Sequence, residues 1–185
     1  MFMKSATLIV LIVFAAATLA VTSCETTGNR IDRNQIPSFY LTPPTSKDTL
    51  YGVGYARMSS LDLSRTTAVA RARADVAGQV QASVKTALTD YAQQAGEGEN
   101  NQALQFVESV SRQIVDVTLA GCRTDKVEVI DDGTVYALVS YPITNLMAAA
   151  GSQFRRNEAA AFAGFKAEEA VSRLNDEIRN KSRNH

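Results

Sequence analysis

The chain has no tryptophan and a single histidine, His185, at its last position. A Ser–His or Cys–His nucleophile needs an imidazole held beside the attacking atom, and one imidazole at the chain's last residue does not supply it. Zinc needs about four clustered ligands, usually Cys or His. With Cys24, Cys122 and His185 the chain cannot assemble them. No GxxxxGK[ST] phosphate loop is present. Gly52-Val53-Gly54 lacks the third glycine of a dinucleotide loop, Arg57 standing at that place, and there are no repeated βαβ units. An excess of one charge is also missing: 19 Lys and Arg balance 19 Asp and Glu, and no basic stripe is interleaved with aromatics. Nucleic acid is therefore not an expected partner. These absences argue against an enzyme, a metal and a cofactor.

The N-terminus carries the strongest positive signal. Lys4 precedes an apolar run, Ala6 to Val21, interrupted only by Thr7 and Thr18. Small residues follow, as a signal peptidase with a narrow pocket requires. The run is short for a permanent span, which takes about 20 residues, and the chain turns polar at once from Glu25 to Arg30. Val21-Thr22-Ser23-Cys24 resembles a bacterial lipobox, the cleavage and lipidation signal of secreted lipoproteins. The resemblance implies that residues 1–23 are removed and that Cys24 carries acyl chains on its sulfur and amino group. An ordinary secretory signal cut near Ser23, or an uncleaved anchor, is the alternative. Each buried methylene is worth about 0.8 kcal/mol, so one acyl chain binds marginally and two or three hold stably. The partner implied by Cys24 is membrane lipid. By the sorting rule of the best-understood lipoproteins, Glu25 in place of an aspartate implies outer-membrane delivery.

From Cys24 onward 162 residues remain, with 18 basic against 19 acidic side chains, enough for one domain with a real core. Cys122 would be a lone thiol, most simply a small apolar residue at a strand start, with an intermolecular bridge as the minor alternative.

Residues 24–48 read as the lipidated end and a tether, because Gly28, Pro37, Pro43 and Pro44 break any periodicity. Within it, the apolar and aromatic Ile36-Pro37-Ser38-Phe39-Tyr40 is suited to dock on the domain. Residues 49–58 read as a strand whose Gly52 and Gly54 suggest a bulge or a close backbone approach. A long helix follows over about 60–94. Val69, Val76, Val80, Val84 and Leu88 form its apolar stripe, while Arg65, Arg71, Arg73, Asp75, Gln79 and Lys85 fill the remaining surface. Gly96 to Asn101 breaks the chain, and a second helix covers about 102–119. A strand over 123–130, with Val127 and Val129 on one side and Lys126 and Glu128 on the other, turns at Asp131-Asp132-Gly133. The returning strand, 135–141, is apolar on both faces and so central. Pro142 opens a short helix that Gly151 interrupts, and a last helix covers about 153–180. There Phe162 and Phe165 sit away from Ala170, Leu174 and Ile178. That two-faced pattern hints at self-association. Arg155, Arg156, Arg179, Lys181 and Arg183 read as solvated faces. The fold class is α+β in the order β-α-α-β-β-α, with a domain over 49–141 and a helical extension over 142–185.

Pro37-Ser38-Phe39-Tyr40, Pro43-Pro44, Leu50-Tyr51-Gly52-Val53-Gly54-Tyr55-Ala56, the alanines and arginine Ala68, Ala70, Ala72, Arg73 and Ala74, and Asp132 to Val139 together resemble the LPP-twenty family of small bacterial lipoproteins over about 37–141. Phe39 stands where the family usually has tryptophan. The resemblance implies a dodecin-like domain, long helices on a small antiparallel sheet, in a non-enzymatic outer-membrane or surface lipoprotein. Some relatives build rings or disks at the flagellar motor and others look like adhesins or antigens. Three functions follow for weighing: a self-associating envelope scaffold with envelope or flagellar partners; a small-ligand-binding module in which Tyr51, Tyr55, Tyr136 and Tyr141 line a pocket, although core packing also accounts for them; and a cell-wall hydrolase, for which no residues are available.

Overall fold

The computed structural model describes residues 35–183. In chain order the elements are helix α1 (Ser38–Leu41), strand β1 (Thr49–Ala56), helices α2 (Leu61–Gln94) and α3 (Asn101–Gly121), strands β2 (Arg123–Val129) and β3 (Val135–Pro142), and helices α4 (Ile143–Asn157) and α5 (Ala167–Arg183). A 3-10 turn, Glu158–Ala160, lies between the last two. The class is α+β, as the periodicity requires.

The three strands form one antiparallel sheet in the order β1-β3-β2, which puts the doubly apolar β3 in the centre. Every residue from Val135 to Tyr141 is buried. Alternation then sorts the side chains. Leu50, Ala56, Val135, Ala137, Val139 and Tyr141 join the main core with the helices, while Tyr51, Val53, Tyr136 and Leu138 join a smaller cluster on the other face. β2 is the open edge. A register shift between Thr124 and Lys126 interrupts its pairing, Val127 packs on the core, and Val129 stays 52% exposed. Its Arg123, Asp125, Lys126 and Glu128 are exposed, a composition that discourages unwanted strand pairing.

Ser60 caps α2 by accepting from the Leu63 N–H at 3.2 Å, and Asn100 caps α3 by accepting from Gln102 N–H at 2.8 Å. α2 crosses the sheet closely, because a Cβ at Gly52 would stand 2.7 Å from Val76 Cγ2 and one at Gly54 would stand 2.9 Å from Arg71 Cβ. The close approach expected of these glycines is thus present, and both lie in regular strand without a bulge.

The C-terminal half differs from the periodic reading. Gly151 does not interrupt α4. It is buried, and a Cβ there would meet the flexible Arg155 Nη1 at 3.3 Å and Val171 Cγ2 of α5 at 3.4 Å, so the helix runs through this position in ordinary contact with α5. The break falls instead at 158–166, inside the stretch expected to be helical. Gly164 turns the chain at φ 79°, and Phe165 N–H bonds to Phe162 O at 3.2 Å. Alanine's helix preference over 159–163 amounts to tenths of a kcal/mol per residue, whereas burying two phenylalanines is worth about 3 kcal/mol or more. Phe162 and Phe165 turn inward and pack with Tyr91, Phe106 and Phe154 at ring separations of 4.8–6.1 Å. They do not form a second apolar face on the last helix. This chain's own core satisfies both rings, so they offer no apolar face for self-association.

Tyr91 locks the extension in place. Its hydroxyl accepts from Lys166 N–H at 3.0 Å and reaches the Glu169 carboxylate at 3.0 Å, while the Arg173 guanidinium lies over its ring at 4.5 Å. Burial pushes the Tyr91 hydroxyl pKa up, and the hydrogen bond from Arg173 leads in holding the Glu169 carboxyl below its ordinary value.

Candidate functional site

Two features of the sheet could carry function: the face turned away from the main helices, and the free edge of β1. The first is covered by the segment that enters the domain. Phe39, on α1, is buried with Tyr136 and Leu138, and Ile36, Tyr40, Tyr51, Val53 and Ile130 pack around them. Tyr40 meets Tyr136 edge-on at 4.9 Å and Tyr55 at 5.7 Å, and Lys126 Nζ lies 6.0 Å from the Phe39 ring centre. The expected docking of 36–40 is therefore what holds this face. At its start, Gln35 Nε2 donates to Asp131 Oδ2 at 2.9 Å, so the chain reaches the domain beside the β2–β3 turn. Phe39→Ala is expected to cost about 2–3 kcal/mol and to speed tryptic cleavage after the exposed Lys47, read as loss of intact chain by mass spectrometry.

The second feature is a polar ladder. Along the free edge of β1, Arg71 Nη1 donates to Tyr55 O at 2.6 Å, Val53 N–H donates to Asp75 Oδ2 at 3.0 Å, and Gln79 Nε2 donates to Tyr51 O at 2.8 Å. Four residues of helix advance about 6 Å and two of strand about 6.6 Å, so each rung falls one helical turn and one strand pleat beyond the last. Side chains of α2 thus satisfy an edge that would otherwise be open to pairing. Periodicity alone leaves these residues on the helix surface. Their i, i+4, i+8 spacing, opposite a strand with alternate glycines, is the signal that could have found them.

The next position in this series is Ser83, and no bond joins it to Thr49. A cavity of 480 Å³ lies there, lined by Pro43, Ser46, Leu50, Ser83, Ile178 and Lys181 among others. It joins the arm, the strand edge and the last helix. The four tyrosines do not line a common pocket. Tyr51, Tyr55 and Tyr136 belong to the outer sheet face and Tyr141 to the helix-side core, because odd and even positions of a strand point to opposite faces.

Cys122 is buried, and its thiol donates to Thr118 O at 3.2 Å. Burial pushes its pKa up, with the Arg73 charge pulling the other way, so the sulfur is held as a thiol in the packing role expected of it. In the turn, Asp132 Oδ1 accepts from Thr134 N–H at 2.8 Å, and Gly133 has φ 82°. Asp132 is held below the ordinary carboxylate range chiefly by its Thr134 hydrogen bonds, helped by Arg57. Among the described residues no group of three or more His, Cys, Asp or Glu could hold a metal ion.

The docked Phe39, all three strands and helices α2 and α3 lie between Pro37 and Pro142 in the chain, and α4 and α5 complete the core they share. The model of the LPP20 lipoprotein family matches residues 37–141. The chain belongs to the LPP20 lipoprotein family. No curated protein matches it. In this lipoprotein, α4 and α5 lie beyond the matched block, yet Leu146, Phe154 and Leu174 are fully buried in the same core. Membership makes it a membrane-anchored lipoprotein. Among the described residues no helix is long and apolar enough to cross a membrane. Cys24, its preceding Val21, Thr22 and Ser23, and His185 lie outside the described residues.

Proposed function

We propose that this lipoprotein is a non-catalytic, self-associating structural component of the bacterial cell envelope, held to the outer membrane by acyl chains on Cys24. The observation that carries the reading is the match over 37–141 joined to a Val21-Thr22-Ser23-Cys24 signal eleven residues ahead of the first docked residue. The scarcity of imidazole and thiol supports a role without turnover. The exposed Val117 on α3 lies on a surface a neighbouring subunit or envelope protein could take. Flagellar assembly is one setting for such a scaffold.

Cys24→Ala tests the anchor. Because Cys24 is also the cleavage residue of the signal, the variant carries an ordinary cleavable secretory leader in place of residues 1–23; it is then expected to leave the membrane fraction for the soluble fraction of the envelope, and retention in the membrane would overturn the anchor. A motility assay of the same strain reads any flagellar role. A monodisperse monomer by light scattering on the soluble form, with no envelope partner recovered by crosslinking, would overturn self-association. The cavity beside Ser83 favours a second reading, a module for a small amphipathic ligand. Mass spectrometry of gently purified protein separates the two, because a retained small molecule supports the second.

A further inference from the structure

We propose that the end of the domain carrying the β2–β3 turn is its membrane-facing surface, with Met58, Leu61, Leu63 and Val129 seated in the lipid interface. The proposal rests on the acylation of Cys24.

The first argument is where the chain arrives. Residues 35–41 are bound to the domain, and the Gln35 side chain is hydrogen-bonded to Asp131 in the turn. Only the eleven residues from Cys24 to Asn34 remain as a link. Whatever conformation they take, they span at most about 36–40 Å. That is well below the roughly 80 Å open to a link running on to the first strand. It is also shorter than α2, whose 34 residues extend about 51 Å. A link of this reach excludes the inverted orientation, in which the end where α2 meets α5 would face the bilayer and the turn end would stand about 51 Å away.

The second argument is what that end displays. The antiparallel register places Ala56 and Val129 both opposite Val135, so the end of β1, the end of β2 and the start of α2 converge there. Arg57 pairs with Asp132 at 3.3 Å, and Met58 N–H donates to Ser64 Oγ at 2.9 Å, which fixes the β1–α2 connection beside the turn. On this fixed frame Met58 is 44% exposed, Leu61 56%, Leu63 44% and Val129 52%. They make up half of the eight large apolar side chains exposed among the described residues. Leu61 and Leu63 occupy the first turn of a helix, where good helix formers of any polarity would serve, so their exposure is not required by the fold.

The charges at this end are mixed. Asp131 and Asp132 are engaged by Gln35, Thr134 and Arg57, Asp62 sits in the first turn of α2, and Arg65 follows one residue beyond Ser64. Attraction to anionic headgroups is therefore not the driving term. The surface fits a lipid interface reached by apolar insertion once the acyl chains have supplied proximity, and the contact is expected to be insensitive to added salt.

The absence of tryptophan makes the test direct. Full-length acylated protein bearing Leu61→Trp or Val129→Trp, with Leu104→Trp on α3 as the reference position, is reconstituted into vesicles of phosphatidylethanolamine and phosphatidylglycerol containing brominated phosphatidylcholine. Leu61→Trp and Val129→Trp are expected to emit to the blue of Leu104→Trp and to be quenched by the brominated lipid about twofold more or better. Equal quenching at all three positions overturns the proposal. So does a blue shift at Leu61→Trp without quenching, which marks cover by a second copy or another protein. The mass of the N-terminal peptide separates the two readings. Acylated Cys24 without quenching overturns the docking alone, and an unmodified Cys24 overturns the anchor together with the docking.

Discussion

Gly54→Ala is expected to be among the most damaging single-methyl additions in this domain, costing about 3 kcal/mol or more. The added Cβ would run into the Ala68 carbonyl oxygen and the Ala72 nitrogen, both main-chain atoms of α2, as well as Arg71 Cβ. A flexible side chain could swing aside, but a helix backbone cannot move without carrying its neighbours. Displacing α2 by a few tenths of an ångström at this point would also stretch the nearby bond from Arg71 to Tyr55 O and the one from Val53 N–H to Asp75. Urea unfolding of a soluble form that begins at Glu25, without the leader and the acylated cysteine, measures the loss. At about 2–4 °C per kcal/mol for a domain of this size, the midpoint of thermal unfolding should fall by roughly 6–12 °C. Gly78→Ala is the internal control. Gly78 is exposed in the middle of α2, and a Cβ there would have nothing within 4 Å of it, so the same chemical change should stabilise by about 0.5–1 kcal/mol. If both substitutions shift stability alike, close packing of β1 on α2 is not what Gly54 provides.

The contrast between these two glycines explains which parts of the fold were legible in the residues. Periodicity depends on one element at a time, and the long helix, the second helix, the hairpin and the central strand all followed from it. Gly52 and Gly54 announced a close approach because two missing side chains in a strand need a reason. What α2 does at the free edge of β1 was not legible from either element alone. Arg71, Asp75 and Gln79 look like any solvated helix face until the strand's unpaired carbonyls and N–H groups are placed beside them. The docking of Phe39 was suggested by an aromatic cluster inside a proline-rich segment, and its consequence, a link of eleven residues, required knowing where Gln35 lands. The Val21-Thr22-Ser23-Cys24 signal behind the proposed anchor is chemical, a kind of information that owes nothing to packing.

The residues misled most at 158–166. Ala159, Ala160, Ala161 and Ala163 favour helix locally, and extending the helix across them put Phe162 and Phe165 on an outer face. Their real destination is a pocket formed by residues distant in sequence, Tyr91, Phe106 and Phe154, which no local pattern displays. The tertiary term wins over propensity here because two rings outweigh a few alanines.

Phe165→Ala turns that account into a measurement. Phe165 is 7% exposed and touches Phe106 at 4.8 Å, Phe162 at 5.4 Å, Tyr91 at 5.6 Å and Phe154 at 6.1 Å between ring centres. Removing the ring leaves a cavity where five aromatic side chains meet, and the expected cost is about 3–5 kcal/mol. The loss should be felt first at the C-terminus. The Tyr91 hydroxyl bonds Lys166 N–H directly, so α5 loses its seat together with the Arg173–Tyr91 stack. Hydrogen exchange is expected to accelerate across α5 and the last turns of α2 before it does in the sheet. If Phe165 instead served an interface between copies, the same substitution would lower the assembly state at unchanged monomer stability. Light scattering beside urea unfolding distinguishes the two outcomes. Loss of stability with an unaltered assembly state is the result the packing requires, because a ring enclosed by its own chain has no face left to offer a neighbour.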